Sequence, residues 1–92
     1  MSQVRKDKSV PMVIYSIEKM HFKVKTLPDG TYSIFDSDGL NIFDGTTITL
    51  SGLRHFEDAA YRYKRRNGLK KLREYLPAIV TQIKNVPWLC ST

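Results

Sequence analysis

Residues 46–63 read TTITLSGLRHFEDAAYRY, and within them the chain changes its period. Up to Leu50 the apolar side chains alternate, Ile48 and Leu50 falling in phase on one side of an extended strand. From Leu53 they recur at Phe56, Ala60 and Tyr63, steps of three, four and three, which draw one stripe along a helix. Ser51, between the two regimes, carries the hydroxyl an N-cap uses. A chain that is strand-periodic before this point and helix-periodic after it belongs to the α+β class.

Toward the N-terminus the strand period continues. Met20, Phe22 and Val24 alternate with His21, Lys23 and Lys25, the pattern of a half-buried strand. Pro28, Asp29 and Gly30 supply a turn, and Thr31 to Asp36 return with Tyr32 and Ile34 on one face. Ser37, Asp38 and Gly39 make a second turn, Leu40 to Phe43 a short strand, and Asp44 and Gly45 a third turn. Met12 to Ile17 is rich in β-branched and aromatic residues and also reads as a strand. The expectation is an antiparallel meander of about four strands over residues 12–50, covered on one face by two helices.

Toward the C-terminus, Asn67 and Gly68 end the first helix, expected over 52–66. Leu69, Leu72, Leu76, Ile79, Ile83 and Val86 then form an apolar seam for a second helix over 69–86. Pro77 predicts a kink or a restart within it, and Pro87 stops it. Trp88 is expected to fold back on the core. Residues 1–10 read as a mobile basic arm carrying Arg5, Lys6 and Lys8, leaving 11–92 as a single domain.

The composition narrows the function. The 92 residues carry 15 Lys and Arg against 9 Asp and Glu, a net charge of +6, with a pI near 9.6. Such a balance in a small domain is a footprint for polyanions. Cys90 is the lone cysteine, which fits a reducing compartment, and no apolar stretch resembles a secretory leader or a membrane span. A soluble cytoplasmic protein, monomeric, is the expectation.

Catalysis finds little support. A nucleophile needs a base, and the base an orienting group. Cys90 lies near the chain end, His55 in the first turn of a helix, and His21 among lysines, where its only partner for an RNase-like site is Lys23. One Cys and two scattered His do not make a zinc site. Asp36, Asp38, Asn41 and Asp44 superficially have calcium-loop spacing, but Gly39 follows Asp38 directly and no Glu occurs between 19 and 56, so they read as turn formers. No phosphate-cradling glycine motif is present. No metal and no cofactor is expected.

The sharp signal is basic. Arg62, Lys64, Arg65, Arg66, Lys70, Lys71 and Arg73 place seven cations in twelve residues with no acid among them, and outside this window the chain has eight cations and nine anions. Cations at a helix C-terminus offset its dipole, which accounts for Arg65 and Arg66. Lys70, Lys71 and Arg73 stand at a helix N-terminus, where the dipole prefers anions, so their presence points to function. Tyr61 and Tyr75 interleave with these cations and suit stacking on unpaired bases. Tyr63 fits the core stripe. Lys19, Lys23 and Lys25 add a second basic strip, and residues 26–50 hold Asp29, Asp36, Asp38 and Asp44 with no Lys or Arg. The expected partner is a nucleic acid or a nucleoprotein complex, bound through phosphates more than base edges.

In size, charge and economy the whole chain resembles the small proteins that phages and mobile elements deploy against host systems. Among these it is similar to the anti-CRISPR proteins that inhibit type I RNA-guided surveillance complexes. That resemblance implies a Cas-protein–guide-RNA complex as partner, blockage of target DNA as the act, and the cytoplasm of a bacterial host as the location.

Overall fold

The computed structural model describes residues 8–91. Residues 1–7 of the expected basic arm lie outside the described residues. The last residues of that arm, Lys8 to Val10, make defined contacts, and Val10 opens the first helix. Lys8 Nζ donates to the Glu57 carboxylate at 2.9 Å, and the Lys8 carbonyl accepts from Arg54 Nη1 at 2.6 Å. Ser9 sits at the N-cap position of the first helix.

That helix, α1 (Val10–Lys19), replaces the strand expected at 12–17. The β-branched residues that suggested a strand are spaced for a helix as well. Val13 and Ile17 lie one turn apart, and both are buried with Met20, three residues further on. Pro11 falls in the first turn, where its missing N–H takes away no helical hydrogen bond. Packing against the later helix outweighs the modest β-propensity. Beyond α1, His21 adopts a left-handed φ of 73° and donates its N–H to the Glu18 carbonyl at 3.0 Å, turning the chain into the sheet.

Strands β1 (Lys23–Thr26) and β2 (Tyr32–Phe35) form an antiparallel hairpin, with Lys23 opposite Phe35 and Thr26 opposite Tyr32. The turn between them is held by Asp29, whose carboxylate accepts from Thr31 Oγ1 at 2.6 Å and Thr31 N–H at 3.0 Å. These bonds, the hydroxyl's first, lower the Asp29 pKa below its ordinary value by favouring the charged form. β3 (Thr47–Ile48) pairs antiparallel with β2, Ile48 opposite Tyr32.

The strand expected at 40–43 is absent, and only a single bridge joins Asn41 to Phe35. Side chains claim the backbone there. Asp36 Oδ1 accepts from the N–H groups of Asp38 and Leu40, and Asn41 Oδ1 accepts from that of Phe43. Phe43 is still wholly buried, an anchor from a turn rather than a strand. The four-strand meander is therefore corrected to three strands between residues 23 and 48. A two-residue edge, β4 (Cys90–Ser91), lies beside β3 with Ile48 opposite Cys90.

α2 (Leu50–Lys84) carries the helical period. Its cap is Thr49 rather than Ser51: Thr49 Oγ1 accepts from the Gly52 N–H at 3.1 Å. Leu50, expected to end a strand, is thereby helical. A straight helix of this length would run about 52 Å, yet the longest dimension of the protein is 34 Å. The chain reverses at Gly68, the one residue of α2 with non-helical dihedrals, φ 87° and ψ 165°. Arms 50–67 and 69–84 fold back as a helical hairpin, and the rings of Tyr63 and Tyr75 stack 4.0 Å apart across it. Pro77 neither breaks nor restarts the second arm, whose dihedrals stay helical. The helix ends at Lys84, two residues before the expected limit.

Leu53, Phe56 and Ala60 from the first arm and Leu72, Ile79 and Ile83 from the second bury their side chains with Ile17, Ile34 and Ile48 in one core. Phe56 makes edge contacts with Phe22 and Phe43. Trp88 does not fold back, being 72% exposed. Thr49 holds the neighbouring backbone, donating Oγ1–H to the Trp88 carbonyl at 2.8 Å and its N–H to the Leu89 carbonyl at 3.1 Å. Leu89 and Cys90 enter the core instead. No helix among the described residues is long and apolar enough to cross a membrane.

Candidate nucleic-acid interface

The basic cluster lies on both sides of Gly68, so the reversal gathers its two halves at the closed end of the hairpin. Arg62, Arg65, Arg66, Lys70, Lys71 and Arg73 are exposed and Lys64 is half-buried. The sequence placed them in one corner, and the helix sorts them into three groups. Tyr61, Lys64 and Arg65 share one flank of the first arm. Arg62 and Arg66, one turn apart, share another, facing the second arm. Lys70, Lys71 and Arg73 begin the second arm.

Neutralisation is sparse. Arg62 donates to the Asp58 carboxylate one turn back, and that hydrogen bond, followed by the Coulomb attraction, raises the Arg62 pKa. Lys71 reaches Glu74 at 3.8 Å, a highly exposed pair of little energetic weight. Among the described residues no carboxylate pairs with Lys64, Arg65, Arg66, Lys70 or Arg73.

The tyrosines divide differently from expectation. Tyr61, 40% exposed, has Lys8 Nζ, Lys64 Nζ and Arg65 Cζ at 6.0, 5.8 and 6.0 Å from its ring centre, the outer limit of a cation–π contact. Tyr75, 37% exposed, is not free on both faces, because one is stacked on Tyr63. Tyr63 is thus half-buried in the hairpin seam rather than in the core.

Beside this stack a cleft of about 290 Å³ opens between the arms, lined by His55, Arg62, Tyr63, Arg66, Tyr75 and Gln82. Sequence reasoning set His55 aside and did not weigh Gln82. The legible signal was a second stripe, His55, Ala59, Arg62 and Arg66 at steps of four, three and four, running beside the core stripe.

Lys23 and Lys25 are exposed on β1, which packs on β2 and α1, an element removed from the hairpin. Lys19 lies 5.5 Å from the Tyr15 ring on α1. Three of the four turn acids have local roles. Asp29 and Asp36 hold their turns, and Asp44 lies 3.7 Å from Lys84 at the open end of the hairpin. Lys84 lies sixteen residue steps along the helix from Gly68, about 24 Å, so this acid and the basic cluster occupy opposite ends. Lys8 was missed as a site residue because nothing in its local sequence announces Glu57, which is 6% exposed and also accepts from Ser16 Oγ at 2.8 Å. No protein-family model, curated protein or solved structure matches this chain.

Proposed function

We propose that this chain is a non-enzymatic binding protein whose hairpin end lies against the phosphates of a nucleic acid. The observation that carries the reading is the group of five cations around Gly68 that no described carboxylate neutralises. An unpaired cation cluster repels itself and is relieved by a polyanion. The three cations at the start of the second arm offer Lys and Arg without Asn or Gln, which suits phosphate contacts rather than base reading.

A second, more specific reading is an inhibitor that docks on a host nucleoprotein complex, protein with guide RNA, and blocks its nucleic-acid path. What favours it is an apolar spot on α1, where Met12 and Tyr15, three residues apart on one helix face, are both more than half exposed. Such residues suit a protein partner while the hairpin faces nucleic acid. The resemblance to anti-CRISPR proteins gives this partner its class.

The test uses labelled DNA and RNA oligonucleotides over a range of salt. Affinity is expected to fall steeply with log salt, by roughly 0.7 to 0.9 per phosphate contact. Reversing Arg65, Arg66, Lys70 and Lys71 to Glu is expected to abolish binding with the fold intact, since all four are exposed. Salt-insensitive binding, or unchanged binding by the reversed protein, removes the hairpin from the interface. Recovery of a defined, nuclease-resistant protein assembly from bacterial cytosol selects the docking reading.

A further inference from the structure

The geometry points to a discrete site within this surface: the cleft between the hairpin arms takes one unpaired nucleotide of a single strand, its base against the tyrosine stack and its phosphate on Arg66. The inference rests on the proposed phosphate-binding role of the hairpin and adds the strandedness of the polymer.

Aromatic side chains pack edge-to-face or offset when nothing constrains them. Phe22 with Phe56 and Phe43 with Phe56 do so, at 82° and 65°. Tyr63 and Tyr75 take the parallel arrangement, 3° apart with centroids at 4.0 Å, and so form a flat slab. Tyr75 keeps 37% of its surface exposed although its neighbour across the hairpin covers one face. A planar base extends such a stack at little cost in side-chain ordering, because the rings are already fixed.

The charge in the cleft suits a single phosphate. Arg62 is tied to Asp58, whereas Arg66 has no carboxylate partner among the described residues. The cleft therefore presents one neutral pair and one available guanidinium, the side chain best matched to a phosphate's oxygens. The Gln82 amide and the His55 ring supply hydrogen-bonding groups for a base edge or sugar. About 290 Å³ lies near the lower end of small-ligand sites, room for one nucleotide and not for a duplex. Bases in a duplex have their faces covered by their neighbours, so only an unpaired one can enter.

The probes are labelled dT12 and the dA12·dT12 duplex, followed by anisotropy at fixed ionic strength. Wild-type protein is expected to prefer dT12. Tyr75→Leu is expected to lose roughly tenfold in dT12 affinity, with duplex affinity and salt slope unchanged. Tyr75→Phe keeps the ring and is expected to bind as wild type. Ala59→Gln fills the cleft from its wall while leaving the stack in place, and is expected to match Tyr75→Leu even where loss of the ring impairs folding. Thermal melts verify the fold of each variant. Unchanged dT12 affinity in Ala59→Gln, or parallel loss of single-strand and duplex binding, overturns the cleft assignment while salt-dependent binding by wild type preserves the broader reading. If wild type binds neither these probes nor their RNA counterparts, rU12 and the rA12·rU12 duplex, both fall.

Discussion

Gly68→Ala isolates the residue on which the hairpin depends. A Cβ at Gly68 would meet nothing within 4 Å, so the substitution produces no clash with other groups. Its effect is confined to the backbone. At φ 87° and ψ 165° the residue lies in a region that is essentially closed to L side chains, and occupying it costs about 1–3 kcal/mol. Straightening α2 would relieve that strain, and Ala would add about 1 kcal/mol of helix propensity over Gly. Opening the hairpin, however, exposes Leu72, Ile79 and Ile83, each wholly buried and each worth about 1.5–3 kcal/mol. The burial term exceeds the strain and propensity terms together, so the variant is expected to remain a folded hairpin of lower stability. For a domain of this size, about 2 kcal/mol corresponds to a fall in melting temperature of roughly 8–16 °C. Circular dichroism at 222 nm measures it, with light scattering to confirm an unchanged mass. Gly68→Asn sharpens the test. Asn tolerates the ordinary left-handed cap that the sequence suggests, but not an extended backbone at positive φ. It is expected to melt nearly as low as Ala. A melting temperature within about 2 °C of wild type for Gly68→Ala, or its recovery by Asn, would refute a reversal built on this conformation.

Gly52→Ala acts at the other end of the same helix. The added Cβ would stand 2.0 Å from the Leu89 carbonyl oxygen, a backbone atom that cannot turn aside, so β4 must shift or detach. The Thr49 amide, which donates to that carbonyl at 3.1 Å, is expected to exchange its proton markedly faster by NMR, and unaltered protection would count against this packing. At the α1–α2 junction, Lys8→Met is expected to destabilise more than Glu57→Gln, about 2 against about 1 kcal/mol in urea unfolding. The first leaves a carboxylate whose side chain is 8% exposed without its cation, whereas the second leaves an ammonium 33% exposed and able to reach water. Equal losses, or the reverse order, would contradict the assigned burial.

What the sequence disclosed follows from how local each signal is. The stripe Leu53, Phe56, Ala60, Tyr63 and the seam Leu69, Leu72, Leu76, Ile79, Ile83, Val86 recur over several turns; the structure buries six of these ten and half-buries Tyr63, Leu69, Leu76 and Val86, the last beyond the end of the helix. Tyr32 and Ile34 are marked by the turn before them. The misreadings fall where a local pattern admits two solutions. Val13 and Ile17 satisfy a strand by propensity and a helix by spacing, and only the partner helix decides between them. Asn41 and Asp36 carry turn chemistry that competes with the strand expected at 40–43, and the side chains take the backbone N–H groups first. Trp88, expected to fold back on the core, is held outward through its backbone by Thr49, 39 residues away, which no local reading reveals. The basic cluster was legible as charge. Its division between the Tyr61 flank and the cleft was not, because it depends on the angle of each residue about the helix and on what the second arm places opposite.

The division of labour along the hairpin explains why its closed end can be so basic. The contacts that define the fold gather elsewhere: Thr49 with the Trp88 and Leu89 carbonyls, Phe43 against Phe56, and Lys84 with Asp44 all lie toward the open end or the sheet. Near Gly68 the structure asks for one permissive residue, the Tyr63–Tyr75 stack and the apolar Leu69 and Leu72, none of which is charged. Lys70, Lys71 and Arg73, at the start of the second arm where the helix dipole prefers anions, thus add mutual repulsion and little packing. A neutral sequence at these positions would form the same hairpin with less opposition. That the cations stand there regardless is the physical reason to seek their role in a polyanionic partner rather than in the fold, and it makes their removal separable from unfolding.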